Sequence, residues 1–309
     1  MRGLPWAAVL PDLLDYDVVD VFTQRPYAGN PLAVVHGSEG LSSDALQAIA
    51  REFNLSETAF PVPIDSSTYA VRIFTPQTEV PFAGHPTVGT AWVLRQRGDL
   101  DAAAVVQRCA AGAVAVTVGE GGARLSAQAR ELGDPVRLPD LLAAVGLEES
   151  DLRSPVRAAS CGLGFVYARV GSDAVRRSHA AGSSWAEPET GLADPLGGIC
   201  VYACATVPDG EVQVLARVFC PDAGVPEDPA TGSAAAGLGL VLVAEDLAAA
   251  DGTTTYTVEQ GVQIGRPSRL QCAVDAAGGV AGAAHVGGGV QHVARGALRT
   301  PRITPRHSP

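Results

Sequence analysis

The feature that most constrains this chain is that it repeats. Arg72, Ile73, Phe74, Pro76, Val80 and Pro81 spell R-[IV]-F-x-P-x-x-x-V-P. Arg217, Val218, Phe219, Pro221, Val225 and Pro226 spell it again, an offset of 145 residues from Arg72 to Arg217. Each copy is entered through alternating apolar residues (Tyr69, Val71, Ile73; Val212, Val214, Ala216, Val218), the period of a strand with one face buried. Each is followed by a glycine turn and a run of small residues: Ala83, Gly84, His85 and Pro86 in the first, Asp228, Pro229, Thr231, Gly232 and Ser233 in the second. Proline early and alanine later suit a helix opening, with Pro86 expected at the first helical position. The unit is strand, loop, glycine, helix, used twice.

Two similar halves follow, joined near Leu125–Pro139, where Gly133, Asp134 and Pro135 signal a turn. Strands are expected at 16–22, 31–36, 69–74, 113–118, 163–170, 199–205, 212–219, 254–258 and 269–274. Helices are expected at 42–54, 86–97, 138–145 and 232–247, the first with a serine cap and Leu46, Ile49 and Phe53 at helical spacing. The fold class is α+β: two pseudo-symmetric lobes, each a curled, mostly antiparallel sheet around a central helix. The N-terminal lobe spans 15–130 and carries Glu57, Gly84 and His85; the C-terminal lobe spans 131–296 and carries Asp228, Gly232 and Ser233. Residues 176–196 are polar and aperiodic, which predicts a mobile loop. The stretch after Val293, with four arginines, three prolines and no acid, predicts a disordered tail at 297–309.

Composition removes several functions. There is no lysine, so all 22 basic residues are arginine. A Schiff-base lysine and a Walker-type phosphate loop are therefore both impossible. A net charge of −11 argues against nucleic acid or an anionic membrane as partner. No apolar run is long enough to span a bilayer, and Met1 to Leu14, with an arginine, two prolines and an aspartate, is a poor signal peptide. A cytoplasmic protein is expected. The cysteines at 109, 161, 200, 204, 220 and 272 form no CxxC pair and read as free thiols; His179, His285 and His292 have no ligand spacing with them. No metal is expected.

The repeat also suggests a site. The first N–H groups of a helix lack intrahelical partners and lie at the positive end of its dipole. Glycine there lets a ligand approach the backbone. Two such starts facing each other could hold a small carboxylate, which an acidic, lysine-free chain must do by local geometry. Two ordinary turns entering packed helices would look the same in sequence, and His85, Asp228 or Ser233 taken singly could be a structural histidine or a helix cap. Glu57 follows the first helix and opens a short apolar strand. It is either a solvated carboxylate or, in a dry cleft, a group whose raised pKa suits it to carry a proton.

Taken in order, six motifs resemble the PhzF-like phenazine-biosynthesis proteins of the diaminopimelate epimerase fold superfamily. They are Asp20 to Thr23 through Gly29, Asn30, Pro31 and on to Val35; Asn54 to Thr58; Gly84 to Thr87; Glu227 to Ser233; Gln260, Gly261 through Gly265 to Ser268; and Val286 to Gly288. The resemblance covers roughly Asp17 to Gly296. It implies a homodimer of two-lobed subunits, no cofactor, and a small anionic metabolite as substrate. It also implies Glu57 as proton carrier, with His85 and Asp228 as further catalytic residues, Ser233 beside them in the cleft to bind substrate or assist proton transfer, and Gly84 and Gly232 supplying backbone donors. The implied reaction is isomerisation by a proton and double-bond shift in antibiotic or other specialised-metabolite biosynthesis. A dihydro-hydroxyanthranilate and a dihydropyrrole carboxylate are both open as substrates. Racemases of the superfamily place a cysteine beside each paired glycine. Ala83 and Thr231 stand at those positions here, which counts against an amino-acid racemase or epimerase. A non-catalytic metabolite-binding protein is the remaining alternative.

Overall fold

A computed structural model describes residues 12–180, 188–206, 211–220 and 225–301 of the 309. The first half runs β1 (Leu13–Val21), β2 (Asn30–Val35), α1 (Ser43–Phe53), β3 (Glu57–Asp65), β4 (Thr68–Phe74), β5 (Glu79–Val80), α2 (Gly84–Arg97), β6 (Ala104–Cys109), β7 (Gly112–Val118) and β8 (Gly122–Gln128). A short connection follows: β9 (Glu131–Leu132) and α3 (Pro139–Ala144). The second half begins β10 (Arg157–Ser160), β11 (Gly164–Arg169), α4 (Ser172–Arg177), β12 (Leu196–Thr206) and β13 (Val212–Cys220). It ends β14 (Val225–Asp228), α5 (Gly232–Ala244), β15 (Gly252–Gln260), β16 (Ser268–Ala277) and β17 (Val280–Arg299).

The pairings repeat with the elements. β1 with β2 is antiparallel, β2 with β3 parallel, β3 with β4 antiparallel, and β4 with β6 parallel. The series from β10 is the same: β10 with β11 antiparallel, β11 with β12 parallel, β12 with β13 antiparallel, β13 with β15 parallel. The repeated R-x-F motif builds the same device twice. The Arg72 guanidinium lies 5.1 Å over Phe74 and pairs with Glu79 of β5; Arg217 lies 5.1 Å over Phe219 and pairs with Glu227 of β14.

The two halves are also tied by exchanged strand ends. β8 pairs with β17, with Leu125 opposite Val286. Beyond β8 the chain reaches β10, where Glu131 and Leu132 oppose Ser160 and Ala159. Beyond its pairing with β16, β17 reaches β1, with Val290 to Arg299 opposite Val21 to Leu13. The segment bounded as 131–296 in sequence therefore pairs along its last strand with the first strand of the chain.

α1 is a surface helix: Ser42 caps Ala45, Asn54 closes the helix in the left-handed region, and Leu46 and Ile49 are buried. α2 and α5 are different in kind. Both are buried nearly all round, as helices without a polar face must be. α2 packs against β1, β2, β3, β6, β7 and β8, and α5 against β10, β11, β16 and β17. Close approach needs small residues; a methyl on Gly89 of α2 would stand 2.6 Å from the Leu32 side chain. Tyr167 and Tyr256 reach from strands to donate to the Ala234 and Ala235 carbonyls of α5.

Some expectations are corrected. α2 starts at Gly84, so Pro86 is its third residue rather than its first; the missing N–H is still one that has no intrahelical acceptor. Strands at 104–109, 122–128, 157–160 and 280–299 were not anticipated. The last is rich in glycine and alanine, and its pairing is made by backbone groups. It carries Ala297, Leu298 and Arg299 into a strand where a disordered tail was expected; 302–309 lie outside the described residues. The expected loop 176–196 overlaps α4 and the start of β12, with 181–187 outside the described residues. Among the described residues no helix is long and apolar enough to cross a membrane, and no group of three or more His, Cys, Asp or Glu is placed to hold a metal.

Candidate active site

The starts of α2 and α5 meet. A Cβ built on Gly84 would lie 3.1 Å from the Gly232 Cα and 3.2 Å from the Ser233 nitrogen. No side chain caps either helix, so their leading N–H groups have no side-chain acceptor. Above this junction is a cavity of about 310 Å³ lined by Ser56, Glu57, Thr75, Gly84, His85, Asp228, Thr231, Gly232 and Ser233 together with a set of apolar residues. All six residues singled out in sequence are thus brought to one place, three from each half.

Glu57 is the first residue of β3, opposite Leu32 of the parallel strand β2. The αL turn at Asn54 directs the chain from α1 into that strand. Its Oε2 lies 3.5 Å from Nε2 of His85, and both atoms are buried without a hydrogen-bond partner. Burial pushes the Glu57 carboxyl up to about 8, with the Asp228 charge adding to it and the neighbouring Ser56 hydroxyl opposing it. Burial holds the His85 imidazole down at about 3, against a hydrogen bond to the Pro31 carbonyl. The imidazole is therefore neutral across the physiological range. Its N–H toward Pro31 leaves the nitrogen facing Glu57 as an acceptor.

Asp228 ends β14 and is buried. Burial raises its pKa, while hydrogen bonds from Thr231 and Asn30 oppose the rise and the charge of Glu227 adds to it. Thr231 donates to one carboxylate oxygen at 2.6 Å and Asn30 to the other at 2.9 Å. Asn30 also donates to the Ala230 carbonyl and accepts from Ser56, next to Glu57. Gln260 completes the network, donating to the Asp228 carbonyl and the Thr231 hydroxyl and accepting from the Thr231 N–H.

Asn30, Ser56 and Gln260 were present in the sequence motifs but not picked out as site residues. For Asn30 and Gln260 the available signal was a polar residue beside a glycine turn, at the edge of an apolar strand; Ser56 carried no such signal. Cys220 was passed over and lines the cavity. Burial raises its thiol well above the ordinary range, and the Asp228 and Glu57 charges add to this, so it is a neutral thiol. Ala83 and Thr231, the N-cap residues of α2 and α5, also line the cavity.

The fold is shared by PhzF proteins and by epimerases. A PhzF-family phenazine biosynthesis protein of Bacillus anthracis superposes with a TM-score of 0.80 at 25% identity, covering 93% of this chain and 99% of its own. A hydroxyproline epimerase of Agrobacterium vitis superposes with 0.61 at 12% identity, covering 93% of each, a likeness of fold alone. The chain belongs to the phenazine biosynthesis-like (PhzC/PhzF) family, whose profile matches residues 19–293. It is 38% identical to an uncharacterized isomerase of Mesorhizobium japonicum over 92% of this chain and 98% of the relative. It is 34% identical to the trans-2,3-dihydro-3-hydroxyanthranilate isomerase of Pseudomonas aeruginosa over 88% and 95%. Like these relatives, the chain is an isomerase.

Proposed function

We propose that this isomerase moves a proton and a double bond on a small unsaturated carboxylate, with Glu57 as the proton carrier and no cofactor. The observation that supports it most directly is the buried Glu57 Oε2, 3.5 Å from a neutral His85, above two abutting helix starts. The substrate carboxylate sits on the N–H groups at Gly84, Gly232 and Ser233. Glu57, as carboxylate, takes a proton from the carbon beside the double bond. The C–H electron pair shifts into a conjugated system, and negative charge grows on the substrate carboxylate, where the helix-start amides stabilise it. Glu57, now protonated, returns the proton at the far carbon of that system. Atoms and charge balance within the substrate.

His85, neutral beside Glu57, leaves the acid's proton free to meet the substrate in the cavity; Asp228, fixed by Asn30 and Thr231, orients the substrate. A dihydro-hydroxyanthranilate or a dihydropyrrole carboxylate fits this chemistry. We read the repeated pairings as two pseudo-symmetric lobes wrapped on α2 and α5, forming a cytoplasmic homodimer. A racemase would need a second base opposite Glu57, and Ala83, Thr231 and the neutral Cys220 offer none.

The test is incubation of candidate dienes in D2O. Isomerised, deuterated product from the native enzyme and none from Glu57→Gln is the expected result. Exchange at a saturated α-carbon with loss of optical activity would make it an epimerase. Binding without exchange would make it a metabolite-binding protein.

A further inference from the structure

We infer that Asn30 is a positioning residue for the isomerisation: it keeps Asp228 a carboxylate, so that the single proton of the Glu57–Asp228 pair stays on Glu57. This rests on the function just proposed and names what readies its proton carrier.

The repeated fold does not need Asn30, because strand registers match the two halves residue by residue. Thr58 opposes Phe74 as Ile199 opposes Phe219, so Glu57 corresponds to Gly198. Leu32 opposes Glu57 as Phe165 opposes Gly198, so Asn30, two residues before Leu32, corresponds to Leu163. Ile73 opposes Val80 as Val218 opposes Asp228, so Asp228 corresponds to Val80. Ala70 opposes Arg108 as Leu215 opposes Glu259, so Gln260 corresponds to Cys109. Thr231 and Ala83 are the N-caps of their helices. The network Asn30, Asp228, Thr231 and Gln260 is thus answered in the repeat by Leu163, Val80, Ala83 and Cys109, none of which carries an amide or a carboxylate. One copy of the architecture stands without the network, which therefore serves the site and not the fold.

The direction of each hydrogen bond fixes the charge. The Ala230 carbonyl can only accept, so the Asn30 group that meets it, and meets Asp228 Oδ1, is the NH2, at 2.9 Å from each. The other end of the amide accepts from Ser56 at 3.0 Å. The Asp228 carbonyl orients Gln260 in the same way. Its NH2 also meets the Thr231 hydroxyl, whose own proton goes to Asp228 Oδ2 at 2.6 Å. Both Asp228 oxygens receive protons from neighbours, and such bonds favour the charged form. Oε2 of Glu57 receives none. His85 of α2 and the Cys220 thiol of β13 are neutral beside it, and Glu227, next to Asp228, is paired with Arg217. Two carboxylates in one dry cavity repel, so one of them holds a proton, and the donors around Asp228 leave it to Glu57.

The experiment is infrared titration of the full chain without substrate, following the carbonyl stretch of protonated buried carboxyls. At pH 6 the native band is expected to vanish in Glu57→Gln and to persist in Asp228→Asn. In the Glu57→Gln protein, adding Asn30→Leu is expected to raise the midpoint at which Asp228 protonates by about one pH unit or more. Asn30→Ala, which brings no bulk against Asp228, takes its place if the leucine protein does not fold. A native band that survives Glu57→Gln and is lost in Asp228→Asn puts the proton on Asp228 and overturns the inference, while Glu57 remains an available base and the proposed function stands. An Asp228 midpoint that neither Asn30 variant moves overturns it as well, leaving Asn30 a spacer. The expected spectra alongside no isomerisation of any diene in D2O would remove the function and leave the proton on Glu57.

Discussion

Gly84 and Gly232 touch. A single added methyl on either would stand 3.1 Å or 3.3 Å from the other's Cα, so the first turns of two helices from opposite halves share one wall of the cavity. Their positive ends and free N–H groups add at one point, which under the proposed function is how a chain of net charge −11 would hold an acid without a lysine.

Gly84→Ala should therefore act on binding as well as on folding. The neighbours are backbone atoms of Gly232 and Ser233, which cannot rotate away. The expected cost in urea denaturation is about 1–3 kcal/mol, with carboxylate affinity falling roughly tenfold as the helix starts part. Unchanged affinity at reduced stability would show that the junction is only a packing contact.

The pH dependence of catalysis should report Glu57. With its carboxyl raised to about 8, kcat/KM should climb about tenfold per pH unit below 8 and level off above it. Asp228→Asn removes the neighbouring charge that helps raise Glu57, so the limb should move to lower pH, even though turnover also falls. A profile flat from pH 6 to 9 in initial-rate measurements would mean that Glu57 is not the proton carrier.

The same carboxyl costs stability. Its folded pKa, about 8, lies above the ordinary 4.5, so the unfolded chain releases the proton first and stability declines as pH rises from 4.5 to 8. Glu57→Gln abolishes this loss. A fifth of the side chain is open to the cavity, which softens the burial penalty. The variant should be more stable than the native protein above pH 8 by about 2 kcal/mol, and no more stable below pH 4. Chemical denaturation at pH 4 and pH 9 reads the difference.

Asp17 works in the opposite sense. It is fully buried where β1, β2, α2 and β17 meet, and accepts from His36, Arg97, His292 and Arg295. Burial alone would raise its pKa, but bonds from Arg295, His292 and His36 outweigh it and hold it at about 2. Its folded pKa is below the ordinary 3.8, so its contribution is complete above that value and is lost as pH falls through about 2. Asp17→Asn should cost on the order of 2 kcal/mol at pH 7, with the gap closing by pH 2. A pH-independent gap in denaturation midpoints would refute the charge argument.

The duplicated arginines should differ although their contacts match. Arg72 and Glu79 are each more than a third exposed, whereas Arg217 and Glu227 are 8% and 10% exposed. Arg217 also donates to the Ser178 carbonyl at the end of α4. Arg72→Met should change stability by less than about 1 kcal/mol. Arg217→Met should cost roughly 3 kcal/mol, because it leaves the Glu227 carboxylate buried and unpaired beside Asp228. Equal effects in thermal or urea unfolding would show that burial does not separate the two pairs.

Much of the site was legible because it is written locally. Gly84 beside His85 and Gly232 beside Ser233 stand in repeated settings, and Glu57 follows a capped helix, so residue type and spacing pointed to each. Asn30 and Cys220 were not legible in this way. Asn30 acts on Asp228 from 198 residues away, and Cys220 looks in sequence like any strand thiol. The start of α2 also sits differently from the pattern's suggestion, since proline marks its first turn without marking its first residue, whereas α5 starts at Gly232 as expected.

The amino-acid sequence by itself determined that two strand–glycine–helix units exist, that no lysine chemistry is available and that cysteines do not flank the paired glycines. These follow from residue identity and order, which folding does not alter. Tertiary structure alone decided that the glycines touch, that Glu57 lies 3.5 Å from His85, and that Glu131, Leu132 and the end of β17 cross to the opposite half. Strand pairing is made by backbone groups common to every residue, and a raised pKa is set by how much water the surrounding chain excludes. Both depend on partners far away in sequence, and so neither is written at the position it acts on.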